Sequence, residues 1–228
     1  MKQFRESLDE ALTDFLGITD AMRGTMAEHW ALVKQWNVRT NLTAIDSEEE
    51  AAWLHYRDSL EGLSLLLAPK MAETGVEFSR KSVREEDSCV DLHTFSKDFL
   101  RVLDIGSGAG YPGFVLAIAS PENQFTLLEP RRKRASFLQV AANRLKLGNV
   151  SIACARVEEF ANAAFDKAVT RATFSSEADL QASLCVLKPG GDLLAYRSVG
   201  TTLQEQRAFA HTYCLRGKAY GIEIFRKG

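Results

Sequence analysis

The stretch LDIGSGAGYPG, Leu103–Gly113, places four glycines and a proline in eleven residues, directly after the short apolar run FLRVL. Glycine permits positive φ and leaves the main chain bare to a close neighbour. A strand that ends in such a loop and continues into apolar residues reads as the strand–turn–helix unit of a parallel α/β sheet. Ligands of such sheets sit beyond the carboxyl ends of the strands, so this loop is where a ligand is expected.

The rest of the chain from Phe99 onward repeats the alternation. Strands are predicted at Phe99–Ile105, Phe125–Glu129, Val150–Ala153, Phe165–Thr170 and Asp192–Tyr196. Helices are predicted between them at Tyr111–Ala119, Arg131–Leu147 (ended by Gly148) and Glu177–Leu187, with a short helical stretch before Phe165. The segment Thr212–Phe225 predicts a hairpin turning at Arg216–Lys218. The first seventy residues predict helices instead. Phe4, Leu8, Ala11/Leu12 and Phe15 recur on one face, as do Met22, Met26, Trp30 and Val33. A third stripe, Trp53, Tyr56, Leu60, Leu63 and Leu67, follows a cap at Asp46 or Ser47. The expected organisation is a helical cap over 1–68, a polar insertion or linker over 69–98, and an α/β core over 99–228. About thirty residues without periodicity are unusual inside a compact domain, hence the reading of 69–98 as an insertion.

Composition narrows the function classes. The net charge of −2 excludes a generic polyanion binder, so any nucleic-acid contact needs a local basic patch. Pro130–Asn149 offers one, with six Lys/Arg and no acid. No apolar stretch approaches the ~20 residues of a membrane span, and the N-terminus lacks the apolar core of a signal peptide. The four cysteines are scattered without a CxxC, which predicts reduced thiols, a cytoplasmic setting and no zinc site. Cys154 and Cys185 fall in elements expected to be buried. The histidines show no metal-ligand spacing, so no metal is expected. Trp30, Trp36 and Trp53 read as core, and His55 with Asp58 as a pair one helical turn apart that buttresses its helix or orients the turn RTNLTA, Arg39–Ala44.

Two templates overlap on the loop. Gly108, Gly110 and Gly113 satisfy the dinucleotide pattern GxGxxG, with Glu129 about twenty residues on as the ribose acid. Asp104, Gly106, Gly108 and Gly110 equally satisfy the DxGxGxG pattern of S-adenosylmethionine (SAM) enzymes. Ligand charge separates them. A pyrophosphate favours nearby cations, yet residues 104–113 contain no Lys or Arg. SAM is net cationic, and Asp104 stands where it would oppose the ammonium. KPGG (Lys188–Gly191) before a late strand also favours the SAM version.

Several motifs extend this reading to a family. WNVRTNLT (Trp36–Thr43), HYRDSL (His55–Leu60), VLDIGSGAGYPG, LLEPRRKRASFL (Leu127–Leu138), ARVEEF (Ala155–Phe160), VTRA (Val169–Ala172) and LKPGG together resemble the bacterial small-subunit rRNA guanine-N7 methyltransferases, also called glucose-inhibited division protein B. The resemblance covers nearly the whole chain except Lys70–Asp98. It implies a class I SAM-dependent methyltransferase fold, Rossmann-like, with a seven-stranded doubly wound sheet and a helical N-terminal cap. It implies methyl transfer from SAM to N7 of a guanine in a loop of 16S rRNA near the decoding site, by a cytoplasmic monomer. SAM contacts are implied for Gly106, Tyr111, Val157, Glu158 and Arg171, beside Asp104, Gly108 and Gly110 of the loop and Glu129 at the ribose. RNA contacts are expected from Arg131, Arg132, Lys133 and Arg134, whose charges open a helix where the macrodipole disfavours cations, and from Arg197 and Asn41. Where the family has lysine-glycine after the fifth strand, this chain has Arg197-Ser198. The alternatives left open are a SAM enzyme acting on a small molecule or protein, and a nucleotide-binding module without catalysis.

Overall fold

The structure is a computed structural model and describes residues 2–68, 99–160, 165–171, 176–199 and 210–228. The expected insertion at 69–98, with Cys89 and His93, lies outside the described residues. Seven strands form one sheet in the order β3-β2-β1-β4-β5-β7-β6. They are β1 (Arg101–Ile105), β2 (Gln124–Leu128), β3 (Val150–Ala153), β4 (Phe165–Arg171), β5 (Leu187–Ser198), β6 (His211–Leu215) and β7 (Lys218–Arg226). The first five run parallel, while β7 is antiparallel to both β5 and β6. The order reverses between β1 and β4, which creates the crevice that such sheets use for ligands.

Alternation along each strand feeds two apolar layers. Val102, Phe125, Leu127, Val169 and Leu194 face the layer that receives the N-terminal helices, while Leu103, Ile105, Leu128, Ala168 and Leu193 face the other. Helix α6 (Gly113–Ala119) is short and buried over most of its length, and α7 (Arg132–Arg144) buries Ala135, Phe137, Leu138, Ala141 and Ala142. α7 stops before Gly148: Leu145 caps it and Lys146 takes φ 55, so a lysine holds the left-handed position expected of the glycine. The KPGG segment lies inside the long β5, with a register shift against β4 between Phe165 and Lys167. The hairpin turns on Arg216 and Gly217, both at positive φ.

The cap begins with α1 (Lys2–Ala11), which buries Phe4, Leu8 and Ala11. Helix α2 (Asp20–Thr40) starts where the Thr19 hydroxyl accepts from the Met22 N–H and ends at Asn41, in left-handed conformation. The Asn37 carboxamide then accepts from the Leu42 and Thr43 N–H groups and shapes the RTNLTA turn. Ser47, rather than Asp46, caps α3 (Glu48–Ala51), whose three glutamates favour a helix start. The chain continues as a π-helical segment, Ala52–Arg57, then α4 (Asp58–Leu60) and α5 (Leu63–Leu67). The 3.6-residue stripe predicts an ordinary helix there. The π turn instead brings His55 inward beside the expected Tyr56 and leaves Trp53 half-buried. Cys154 and Cys185 are exposed, contrary to expectation, because each stands at the last turn or end of its element rather than within it. Helix α8 (Glu177–Cys185) has a full capping box from Ser176 and Asp179.

Candidate functional site

The glycine loop leaves β1 at the switch point and is braced by two carboxylates. Asp104 accepts from the Gly113 N–H at 3.0 Å and is 0% exposed. Glu129 follows β2 and accepts from the Gly108 N–H at 3.0 Å and the Arg131 N–H at 2.9 Å. The main-chain N–H groups of Gly106 and Ser107 donate to the Leu128 carbonyl, so the loop is hung from the end of β2. Gly106, Gly108 and Gly110 all hold positive φ. What crowds the bare backbone is in part the protein itself. A Cβ on Gly110 would overlap the Phe114 ring, with Cε2 2.8 Å away, and one on Gly113 would overlap the Asp104 carboxylate, with Asp104 Cβ 2.9 Å away. For a Cβ on Gly108 the nearest atoms, Arg134 Nη1 and the Gly106 carbonyl oxygen, are 3.9 Å off, so there the main chain is open, with one guanidinium at its rim.

Asp104 is held in an unusual state. Burial pushes its carboxyl up to about 7, against the pull of the Ser107 hydroxyl, the Gly113 N–H and the Arg171 charge. Among the described residues its Oδ1 has no hydrogen-bond partner. A buried carboxylate oxygen without a donor fits a cationic ligand, and a loop without Lys or Arg does not oppose one. The residues present therefore fit a net-cationic methyl donor better than a pyrophosphate.

Tyr111, implied as a cofactor contact, turns its side chain into the cap rather than the crevice and is 4% exposed. His55 stacks on its ring at 4.3 Å, and the Arg171 guanidinium stands 5.2 Å from the ring centroid. Arg171 closes β4 against the cap. It donates to the Leu54 carbonyl at 3.1 Å, to Asp58 at 3.2 Å and to His55 Nδ1 at 3.3 Å. Because arginine only donates, His55 Nδ1 accepts, and its Nε2–H donates to the Thr43 hydroxyl at 2.9 Å. Burial, aided by the Arg171 charge, holds the His55 pKa well below its usual value. The His55–Asp58 pair thus both buttresses the helix and anchors the RTNLTA turn. Asp58 also accepts from the Tyr213 hydroxyl at 2.7 Å, which ties the C-terminal hairpin to the same cluster. Burial raises the Asp58 carboxyl despite these donors.

Val157 and Glu158 lie in a 3-10 turn, Val157–Phe160, just past β3, Val157 half-buried and Glu158 exposed. The main-chain N–H of Glu129 donates to the Ala153 carbonyl at 3.0 Å, so β3 ends beside the acid. Arg131, Arg132 and Lys133 are exposed at the start of α7, and Arg134 reaches back to the Asn41 carbonyl at 3.0 Å. The buried Glu129 carboxylate already supplies an anion at this helix start, so the macrodipole cost does not by itself demand an external phosphate. Arg197 does not belong to this surface. Its side chain is 9% exposed and pairs with Glu223 at 3.1 Å, because β5 continues far enough to bring it over β7. The sequence stripe places Tyr56 in the core without a polar role and gives His29 none; the structure buries both. Their signal was a histidine beside Trp30 on an apolar helical stripe and a tyrosine within another.

A sheet of this order, with the glycine loop after β1 and a loop-bracing acid after β2, defines the class I SAM-dependent methyltransferase fold. The family model described as GidB, rRNA small subunit methyltransferase G, matches residues 77–221. The chain belongs to this family. The match takes in residues 77–98, which the sequence motifs had left aside, and excludes the N-terminal helices that carried several of them. A ribosomal RNA small subunit methyltransferase G from Burkholderia thailandensis is 33% identical over 206 residues, covering 86% of this chain and 77% of that protein. The protein of the same name from Helicobacter pylori is 43% identical over 121 residues, covering 53% of this chain and 67% of its own length. A precorrin-6y C5,15-methyltransferase from Geobacter metallireducens superposes with a TM-score of 0.44 at 17% identity, over 57% of this chain and 81% of that one.

Proposed function

We propose that this protein methylates N7 of a guanine in 16S rRNA with SAM as the methyl donor, in the cytoplasm. The observation that carries the reading is the braced glycine loop of a chain in this family, with a donorless carboxylate oxygen at its root. SAM, when bound, supplies an electrophilic methyl on a sulfonium. Asp104 and the open main chain at Gly108 would hold the donor, with Glu129 at its ribose and Val157–Glu158 beside its base. Guanine N7 has a free lone pair at neutral pH, so no side chain has to remove a proton before attack. The protein contributes chiefly by positioning, which is worth up to ~7–11 kcal/mol when the reacting groups are well aligned.

Arg171 bears on this site through the cap. Its guanidinium is committed to Leu54, Asp58 and His55, which favours an organising role over that of a ligand to the donor's carboxylate. The exposed Arg131, Arg132 and Lys133 would meet rRNA phosphates. N7 lies on the major-groove edge, which side chains do not reach in A-form RNA, so the target guanine has to be unstacked or in a loop. Among the described residues no helix is long and apolar enough to cross a membrane.

The test is incubation of the purified protein with labelled SAM and unmodified small-subunit rRNA, followed by nucleoside mass spectrometry. The expected product is 7-methylguanosine at a single site. Label incorporated into another nucleoside, or none on rRNA with label on a protein or small molecule, refutes the proposal. A thermal shift with SAM and none with NAD is the companion result, since a ligand at 100 times its Kd stabilises by about 2.7 kcal/mol.

A further inference from the structure

Inside the cap, three side chains form one hydrogen-bonded line that begins and ends on the glycine loop. The Tyr111 hydroxyl donates to the Tyr56 hydroxyl at 3.1 Å. Tyr56 Oη lies 2.9 Å from His29 Nδ1, and His29 Nε2 lies 2.9 Å from the Ala109 carbonyl oxygen. The proton order follows from chemistry. A carbonyl only accepts, so His29 carries its hydrogen on Nε2. Its Nδ1 must then accept, and the one hydrogen of Tyr56 goes there, which leaves the Tyr56 lone pairs for Tyr111. The line runs from residue 111 through α2 and the π segment and returns to residue 109.

None of the three side chains has water to fall back on. His29 and Tyr56 are 0% exposed and Tyr111 4%. Burial pushes the His29 pKa down to about 4, so the neutral form required by this proton order persists at neutral pH. A buried network with every member satisfied is stiff, and removal of one member leaves others unpaired. The loop it grips needs such restraint, because its glycines at 106, 108 and 110 carry little conformational preference of their own. Asp104 and Glu129 restrain the loop from the sheet side, at Gly113 and Gly108. The His29–Tyr56 line restrains the residues between, from the cap side.

We propose that His29 and Tyr56 are positioning residues for the methyl-donor site, holding Ala109 and Tyr111 so that the glycine loop keeps its receiving shape. The assignment rests on the SAM reading of that loop, although neither residue touches the crevice. It gives the N-terminal cap a direct part in cofactor affinity.

The experiment compares the full-length wild type with Tyr56→Phe and Asn123→Ala. Tyr56→Phe keeps the ring that packs on Phe4 and removes the hydroxyl, breaking the line at its middle. Asn123 is buried and accepts from the Leu100 N–H at 2.8 Å, at the amino-terminal ends of β1 and β2 and so at the end of the strands opposite the loop; its loss destabilises without touching the loop. Two quantities are measured well below the melting temperature: the SAM Kd by calorimetry, and amide hydrogen exchange over residues 106–114 in the ligand-free protein. Tyr56→Phe is expected to weaken SAM about tenfold, or about 1.4 kcal/mol, and to speed exchange in the loop selectively. Under saturating SAM its kcat should stay within about twofold of wild type, the KM taking the change. Tyr111→Phe, which removes the first donor of the line, should give the same pair of changes. Asn123→Ala should leave loop exchange and SAM Kd as in wild type. The proposal is overturned if Tyr56→Phe and Tyr111→Phe behave like Asn123→Ala in both measurements. Exchange is read without ligand, so the result stands apart from whether SAM is the true donor.

Discussion

Replacing Gly110 by alanine tests the claim that the glycine loop is shaped by the protein's own interior as well as by a ligand. Gly110 sits at φ +93, and an added Cβ would overlap the Phe114 ring of α6, with Cε2 at 2.8 Å. Phe114 is fully buried, so the ring has no room to swing away. The backbone conformation alone costs a non-glycine residue about 1–3 kcal/mol. Overpacking against a buried ring adds about 1–3 kcal/mol. The smaller entropy of the unfolded alanine chain returns about 0.4–1 kcal/mol. The net expectation is a loss of about 1–5.6 kcal/mol, a large part of a typical domain's total stability. Urea denaturation followed by tryptophan fluorescence should show the midpoint falling by about 0.5–2.8 M at a slope of about 2 kcal/mol/M. Gly148→Ala is the internal comparison, since nothing lies within 4 Å of its added Cβ and its φ is not left-handed. That variant should be neutral or slightly stabilising. If the midpoint of Gly110→Ala lies within about 0.3 M of wild type, the account of the loop is wrong.

Three further outcomes are expected. Asp104 is raised from its usual 3.8 to about 7 in the folded protein, so between those values the folded state holds a proton that the unfolded state has lost. The group therefore lowers stability as pH rises through that window, by at most about 1.4 kcal/mol per pH unit. His29, lowered to about 4, tilts the slope the other way between about 4 and 6.5, so the signal is the difference between wild type and Asp104→Asn in urea midpoints at pH 5, 6, 7 and 8. An identical profile for the two would refute the assignment. Lys146→Gly relieves a left-handed lysine at the end of α7 and should raise stability by up to about 1 kcal/mol, seen as a higher melting temperature. Reversal of Arg131 and Arg132 to Glu should leave folding intact and flatten the salt dependence of rRNA binding by about 0.7 in slope for each lost phosphate contact. An unchanged slope in filter-binding or fluorescence titrations would remove these residues from the RNA surface.

Local chemistry made much of this molecule readable from its sequence. Strand–helix alternation, the cap at Ser47, the glycine loop and the Arg216–Gly217 turn are each decided by a few neighbouring residues. The approximate element positions and the glycine loop at the end of β1 therefore followed from spacing. Errors clustered where distant partners choose. Nothing local to Ala52–Arg57 asks for a π turn, yet Arg171 from β4 takes the Leu54 carbonyl and His55 from that segment. Arg197 reads as a free cation until β7 brings Glu223 beneath it. Lys146 takes a conformation that its own side chain disfavours. His29 and Tyr56 look like incidental polar residues in helical stripes, and only the docking of the cap on the glycine loop gives their protons a destination. Sequence alone thus determined the sheet-and-loop frame, because hydrophobic period and turn chemistry act over a few residues. The tertiary structure decided which buried polar groups meet, because a hydrogen bond between residues 29 and 109 depends on how two separate elements pack.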